Sequence, residues 1–97
     1  MSTEIVKQIE TILGKYLSPE KNRAFIFGSR ATGKFAKFSD VDIGIEGTPL
    51  TGETYFNLVA AFDESDLPFK VDLVEFNDVS ERFQAVAKDK IVSLKLK

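Results

Sequence analysis

The stretch Phe25-Ile-Phe-Gly-Ser-Arg-Ala-Thr-Gly-Lys-Phe-Ala-Lys-Phe-Ser-Asp-Val-Asp-Ile-Gly-Ile45 decides the fold. It opens on an uninterrupted apolar run closed by Gly28-Ser29, the pattern of a central strand covered on both faces. It ends with Val41, Ile43 and Ile45 alternating with Asp42 and Gly44. That alternation predicts a strand with one apolar face and one face that is polar or closely approached. Asp40 and Asp42 share strand parity, so their carboxylates point to one face, roughly 6–7 Å apart along the strand. Two acids beside a glycine turn repel one another unless a positive charge sits between them. A divalent cation with a bound phosphate answers that requirement.

Working outward, Ile5, Ile9, Ile12, Leu13, Tyr16 and Leu17 recur at helical spacing, which predicts a helix over 3–17 capped by Ser2 or Thr3 and ended by Pro19. Arg23 to Phe27 forms the first strand. Residues 29–33 suit one helical turn, and 34–39 read as a basic loop with Phe35 and Phe38 tucked inward. Gly47 to Gly52 is a turn. Tyr55, Leu58, Val59 and Phe62 mark a helix face from Thr51 to about Asp63, and Phe69 to Phe76 is a third strand. Asp78 with Glu81 resembles a capping box opening a last helix, with Phe83, Val86 and Ala87 facing inward. The tail Ile91 to Leu96 suits either an extension of that helix or a short edge strand, of which the strand is favoured. The expected architecture is α/β or α+β: a small mixed sheet with helices packed on it, in one domain spanning 1–97.

Composition removes many chemistries. The chain has no cysteine and no histidine. Disulfide frameworks, thiolate zinc sites, Ser-His-Asp and Cys-His catalysis and His-ligated metals all drop out. Any metal must be held by oxygen, which favours Mg²⁺, Mn²⁺ or Ca²⁺. A net charge of −2 argues against strong non-specific nucleic-acid binding. Lys21, Arg23, Arg30, Lys34 and Lys37 nevertheless cluster ahead of the acids, a basic rim suited to an anion. No apolar run approaches the roughly 18 residues of a membrane span, and the polar start lacks a signal-peptide layout, so a cytoplasmic setting is expected.

The third strand carries Lys70-Val-Asp-Leu-Val-Glu-Phe76. Asp72 shares parity with Val74 and Phe76, an otherwise apolar row on which a lone carboxylate is costly unless paired or bound to a cation. If strand three lies beside strand two, Asp72 can stand opposite Asp40 and Asp42, about 4.8 Å away across the ladder. Three acids on one face then make a pocket for one or two Mg²⁺ ions. Gly28-Ser29 offers backbone N–H groups, close approach and a hydroxyl to a phosphate. Together these parts describe two-metal transfer, in which one ion grips a triphosphate, the other activates an attacking hydroxyl, and pyrophosphate departs. Taken singly, each part has an ordinary reading as a solvated acid or a turn. Their order and spacing carry the inference. The nine phenylalanines, Tyr16 and Tyr55 need only a packing role.

One rival motif is present. Gly28 to Lys34 reads G-x-x-x-x-G-K, but Phe35 stands where a P-loop needs Ser or Thr for Mg²⁺, and the chain returns within a few positions to a strand instead of a long helix. The match is coincidental.

Gly28-Ser29, ten intervening residues, Asp40-Val-Asp42-Ile43 and the later Asp72 resemble the signature of the DNA polymerase beta superfamily. The string GSRATGKFAKFSDVDIGI is similar to its minimal nucleotidyltransferases (the MNT type), and the resemblance covers nearly the whole chain. It implies Asp40 and Asp42 as metal ligands, Asp72 as a ligand of the catalytic ion and general base, and Gly28 and Ser29 on the triphosphate. Arg30 matches a common nucleotide-binding position. It implies transfer of a nucleoside monophosphate, AMP from ATP or from another NTP its own nucleotide, to a hydroxyl. Two Mg²⁺ ions, or Mn²⁺ in their place, would assist. Many minimal members resemble antitoxins encoded beside a HEPN-type toxin whose tyrosine they adenylylate. Two departures are mild: Lys70 precedes Val71-Asp72 where many relatives have arginine, and Val41 replaces isoleucine.

The expectation is therefore an Mg²⁺-dependent nucleotidyltransferase acting on a partner protein, as the antitoxin of a HEPN/MNT toxin–antitoxin pair. No acceptor-recognition domain is visible, which favours a protein acceptor over a free small molecule. Rival readings are the same chemistry on a small molecule or RNA end, served by a homo- or hetero-oligomer, and a non-catalytic module that neutralises a partner by contact. No membrane or nucleic-acid partner is expected.

Overall fold

The computed structural model describes residues 2–32 and 40–96. The basic loop expected at 34–39, with Phe35, Phe38, Lys34 and Lys37, lies outside the described residues.

Helix α1 spans Thr3–Gly14. Ser2 caps it, its hydroxyl accepting from the Ile5 N–H at 3.2 Å. The helix stops three residues short of the sequence expectation. Gly14 comes so close to the chain's tail that an added Cβ would lie 2.7 Å from the Leu96 carbonyl oxygen. Leu17 still reaches the core from the turn that follows.

Strand β1 (Asn22–Phe27) runs straight into the short helix α2 (Ser29–Thr32), and β2 (Val41–Gly47) follows. β2 opens too soon after α2 for the long helix that a P-loop feeds. Helix α3 (Gly52–Asp63) is capped by Thr51 and leads to β3 (Val71–Glu75). A 3₁₀ turn over Phe76–Asp78, helix α4 (Glu81–Ala87) and strand β4 (Val92–Leu94) complete the order.

The strands form one sheet in the order β3-β2-β1-β4. β1 pairs antiparallel with both β2 and β4, whereas β2 and β3 are parallel and joined through α3. The sheet is thus mixed, as expected, and the tail is a strand.

Strand parity sorts the side chains into two layers. Ala24, Ile26, Val41, Ile43 and Ile45 face α1 and α3 and pack with Ile9, Leu13, Leu58 and Phe62. The opposite face carries Phe25 and Phe27 against Phe76, with Val74, Val79 and Ala87 at their margin. The Phe76 ring meets Phe25 at 4.8 Å and Phe27 at 5.1 Å, both edge-on. Such pairs contribute about 0.5–1.5 kcal/mol each beyond burial. Gly44 makes room for them: a Cβ there would stand 2.5 Å from the Phe25 ring and 2.7 Å from that of Phe76.

The last helix departs from expectation in two ways. Its cap is Ser80, which accepts from the Phe83 N–H at 3.1 Å, while Asp78 closes the preceding 3₁₀ turn. Its apolar residues do not all turn inward: Phe83 is 44% exposed and Val86 73%, and no residue of α4 is buried. Phe76 already fills the space against the sheet, so α4 lies over it as a partial cover. Polar contacts hold the helix in place. The Gln84 side-chain amide donates to the carbonyls of Phe76 (2.8 Å) and Val79 (3.2 Å), and Lys88 pairs with Glu46 at 2.6 Å.

Candidate active site

The site lies on the α4 face of the sheet, at the end where β1 leaves and β2 and β3 enter. Parallel register sets Asp42 opposite Asp72, and antiparallel register sets Phe27 opposite Asp42. Paired residues share a face, so both carboxylates project beside the Phe27 ring. Asp40 stands exposed just before β2. The structure therefore brings Asp42 and Asp72 together and leaves Asp40 at the mouth.

Gly28 turns the chain at the head of the acid pair. Its φ is +74°, and a Cβ would lie 2.6 Å from the Asp42 Oδ2. Only glycine takes this conformation without strain and leaves space for the carboxylate. Ser29 opens α2 immediately afterwards, so backbone N–H groups and the acids converge from neighbouring strands.

Asp42 holds its proton above the ordinary carboxylate range, because burial strips water from the charged form and the charges of Asp72 and Asp40 repel it. Both of the other acids thus act on the Asp42 carboxyl. Among the described residues they do not close into a three-ligand metal cluster. Charge coupling extends over several ångströms, whereas Mg²⁺–oxygen bonds are about 2.0–2.1 Å long. Closing that gap without a cation would sharpen a repulsion that already shows at Asp42. An all-oxygen donor set with excess negative charge fits a hard dication and no softer metal.

Arg30 is nearly buried, its guanidinium 4.8 Å from the centre of the Phe69 ring. It also lines a small cavity with Val6, Ile26 and Val92 on the α1 side of the sheet. These contacts tie α2 to the core and set the Arg30 side chain on the opposite side of the sheet from Asp42 and Asp72, not at the nucleotide-binding place expected of it.

Sequence reasoning missed the surroundings of the acids. Phe27, Gly28, Phe83, Val86, Ala87, Asp89 and Lys90 line a mostly apolar cleft of about 290 Å³ beside the turn. Glu46 bonds both Arg23 (3.2 Å) and Lys88 (2.6 Å) across the sheet face. Glu46 shares parity with Asp42, the one signal that could have placed it there.

The family described as polymerase beta, nucleotidyltransferase matches residues 7–95. The chain belongs to this family. A probable protein adenylyltransferase MntA from Haemophilus influenzae is 37% identical over 89 residues, covering 91% of this chain and 76% of that protein. The chain is thus a nucleotidyltransferase, and its mixed sheet with flanking helices is the polymerase-beta-like core. Family membership brings a nucleoside triphosphate as the substrate class. None of the described helices of this nucleotidyltransferase is long and apolar enough to cross a membrane.

Proposed function

We propose that this nucleotidyltransferase transfers AMP from ATP to a hydroxyl of a partner protein, with Mg²⁺, and that its partner is a HEPN-type toxin encoded beside it. The observation that carries the reading is the cross-strand pairing of Asp42 with Asp72 against the Gly28 turn. The adenylyltransferase name of the Haemophilus relative supports AMP as the group moved and a protein as acceptor.

In this reading Asp40 and Asp42 hold Mg²⁺, Gly28 and Ser29 hold the triphosphate, and Arg30 steadies the helix that follows. When bound, Mg²⁺ neutralises phosphate charge and lowers the pKa of the attacking hydroxyl. Asp72 holds a further ligand position and takes the proton of the acceptor hydroxyl. The acceptor oxygen bonds to the α-phosphorus, the bond from that phosphorus to the β-phosphate's bridging oxygen breaks, and pyrophosphate leaves. Burial and the charges of Asp72 and Asp40 raise the pKa of Asp42, and a bound cation would oppose that shift.

The deciding experiment incubates the chain with α-labelled ATP, Mg²⁺ and the product of the neighbouring gene. Label on that protein, lost in Asp42→Ala, is the expected result. Unchanged Mg²⁺-dependent ATP affinity in Asp42→Ala would sink the metal-site assignment.

A further inference from the structure

We infer that the cleft between the end of β1 and α4 receives the base of the nucleoside triphosphate, which makes Phe83 and Val86 nucleotide-binding residues. The inference rests on the proposal that Gly28 holds the triphosphate. Gly28 lines the cleft as well as facing Asp42. A ligand whose phosphates lie on that turn therefore has its nucleoside at the cleft's entrance.

The walls match a nucleobase. Phe27 and Phe83 meet edge-on, their centroids 6.2 Å apart, with Val86 and Ala87 beside them. Asp89 and Lys90 add a hydrogen-bond acceptor and a donor. A flat ring with hydrogen-bonding edges satisfies both sets, since any base can stack on an aromatic side chain. The volume, about 290 Å³, lies at the lower end for small-molecule pockets.

The anchoring of α4 supports the same conclusion. Gln84 and Lys88 fix the helix through polar bonds, so Val86 stands largely clear of the core, and Phe83 rests one edge on Phe27 and Phe76 and keeps 44% of its surface exposed. Their exposure has a use if a base covers them.

Calorimetric titration of the whole chain in Mg²⁺, with ATP and separately with inorganic tripolyphosphate, tests the assignment. Phe83→Ala should lower the ratio of ATP to tripolyphosphate affinity by about 5- to 100-fold. Val86→Gln should lower it by about threefold. Tripolyphosphate affinity should stay at the wild-type level in both. If Phe83→Ala loses both ligands through misfolding, Val86→Gln decides, since that side chain lies outside the core. A wild-type ratio in Val86→Gln together with Phe83→Ala would overturn the base site. Loss of ATP binding in Asp42→Ala would then still uphold the metal-triphosphate reading, whereas wild-type binding there would show that reading to be the one at fault.

Discussion

Asp42 and Asp72 stand directly opposite each other on neighbouring parallel strands, with Asp42 packed under the Cα of Gly28. Two carboxylates in that relation store repulsion within the fold. The energy is recovered only when a cation or a proton arrives.

The first prediction concerns the proton. The folded-state pKa of Asp42 is raised by burial first, then by the charges of Asp72 and Asp40. The folded chain therefore holds that proton at pH values where the unfolded chain has released it. Stability falls as pH rises from the ordinary carboxylate value through the raised one, and stays lowered above it. Asp42→Asn should raise Tm at neutral pH, with the gain fading below about pH 4. Melting curves of both proteins from about pH 3.5 to about pH 8 check this; an Asn variant less stable than wild type at about pH 7 contradicts it.

The second concerns the cation. Millimolar Mg²⁺ should raise the Tm of the wild type by linkage, because the folded state alone assembles the acids. The same addition should shift Asp42→Asn much less. Equal shifts in both proteins would show that the ion stabilises elsewhere.

Gly28→Ala should be costly twice over. The left-handed conformation costs about 1–2 kcal/mol with a Cβ, and the methyl would push on the Asp42 carboxylate. Urea unfolding should show a loss of that order. Mg²⁺-dependent ATP affinity should fall by more than this stability loss accounts for, since the turn and the acid move together.

Gly44→Ala tests the other half of the same face. The added methyl would meet the rings of Phe25 and Phe76, neither of which has room to retreat. Overpacking of this kind costs about 1–3 kcal/mol. Urea midpoints should drop accordingly, and tryptic cleavage after Arg82 or Lys88 should speed up as Phe76 and the cover above it loosen.

Much of this layout was legible in the sequence because alternation has a period of two. Val41, Ile43 and Ile45 had to face the core, which forced Asp42 to the other side and gave Asp72, with Val74 and Phe76, its own row. Register was not legible. The pairing of Asp42 with Asp72 depends on where α3 returns the chain, and no local pattern encodes that. The last helix failed for a related reason. Phe83, Val86 and Ala87 repeat at helical spacing whether they meet a core or an open cleft, and Phe76, from the preceding turn, had already taken the interior place. Asp78 also looked like a cap, but the 3₁₀ turn moved the start of the helix to Ser80.

The last prediction separates chemistry from binding. Asp72→Asn keeps the shape of the side chain and removes its ability to take a proton. It also relieves Asp42 of one repelling charge, so the fold should be at least as stable as wild type. If Asp72 takes the proton of the acceptor hydroxyl, adenylyl transfer to the partner should fall by about 10²- to 10⁴-fold. ATP affinity in Mg²⁺, which depends on Asp42 and the Gly28 turn, should change by far less. A variant that binds ATP, has lost transfer and still neutralises the partner would assign neutralisation to contact. One that keeps wild-type transfer would remove Asp72 from the chemistry and leave it as a structural partner of Asp42.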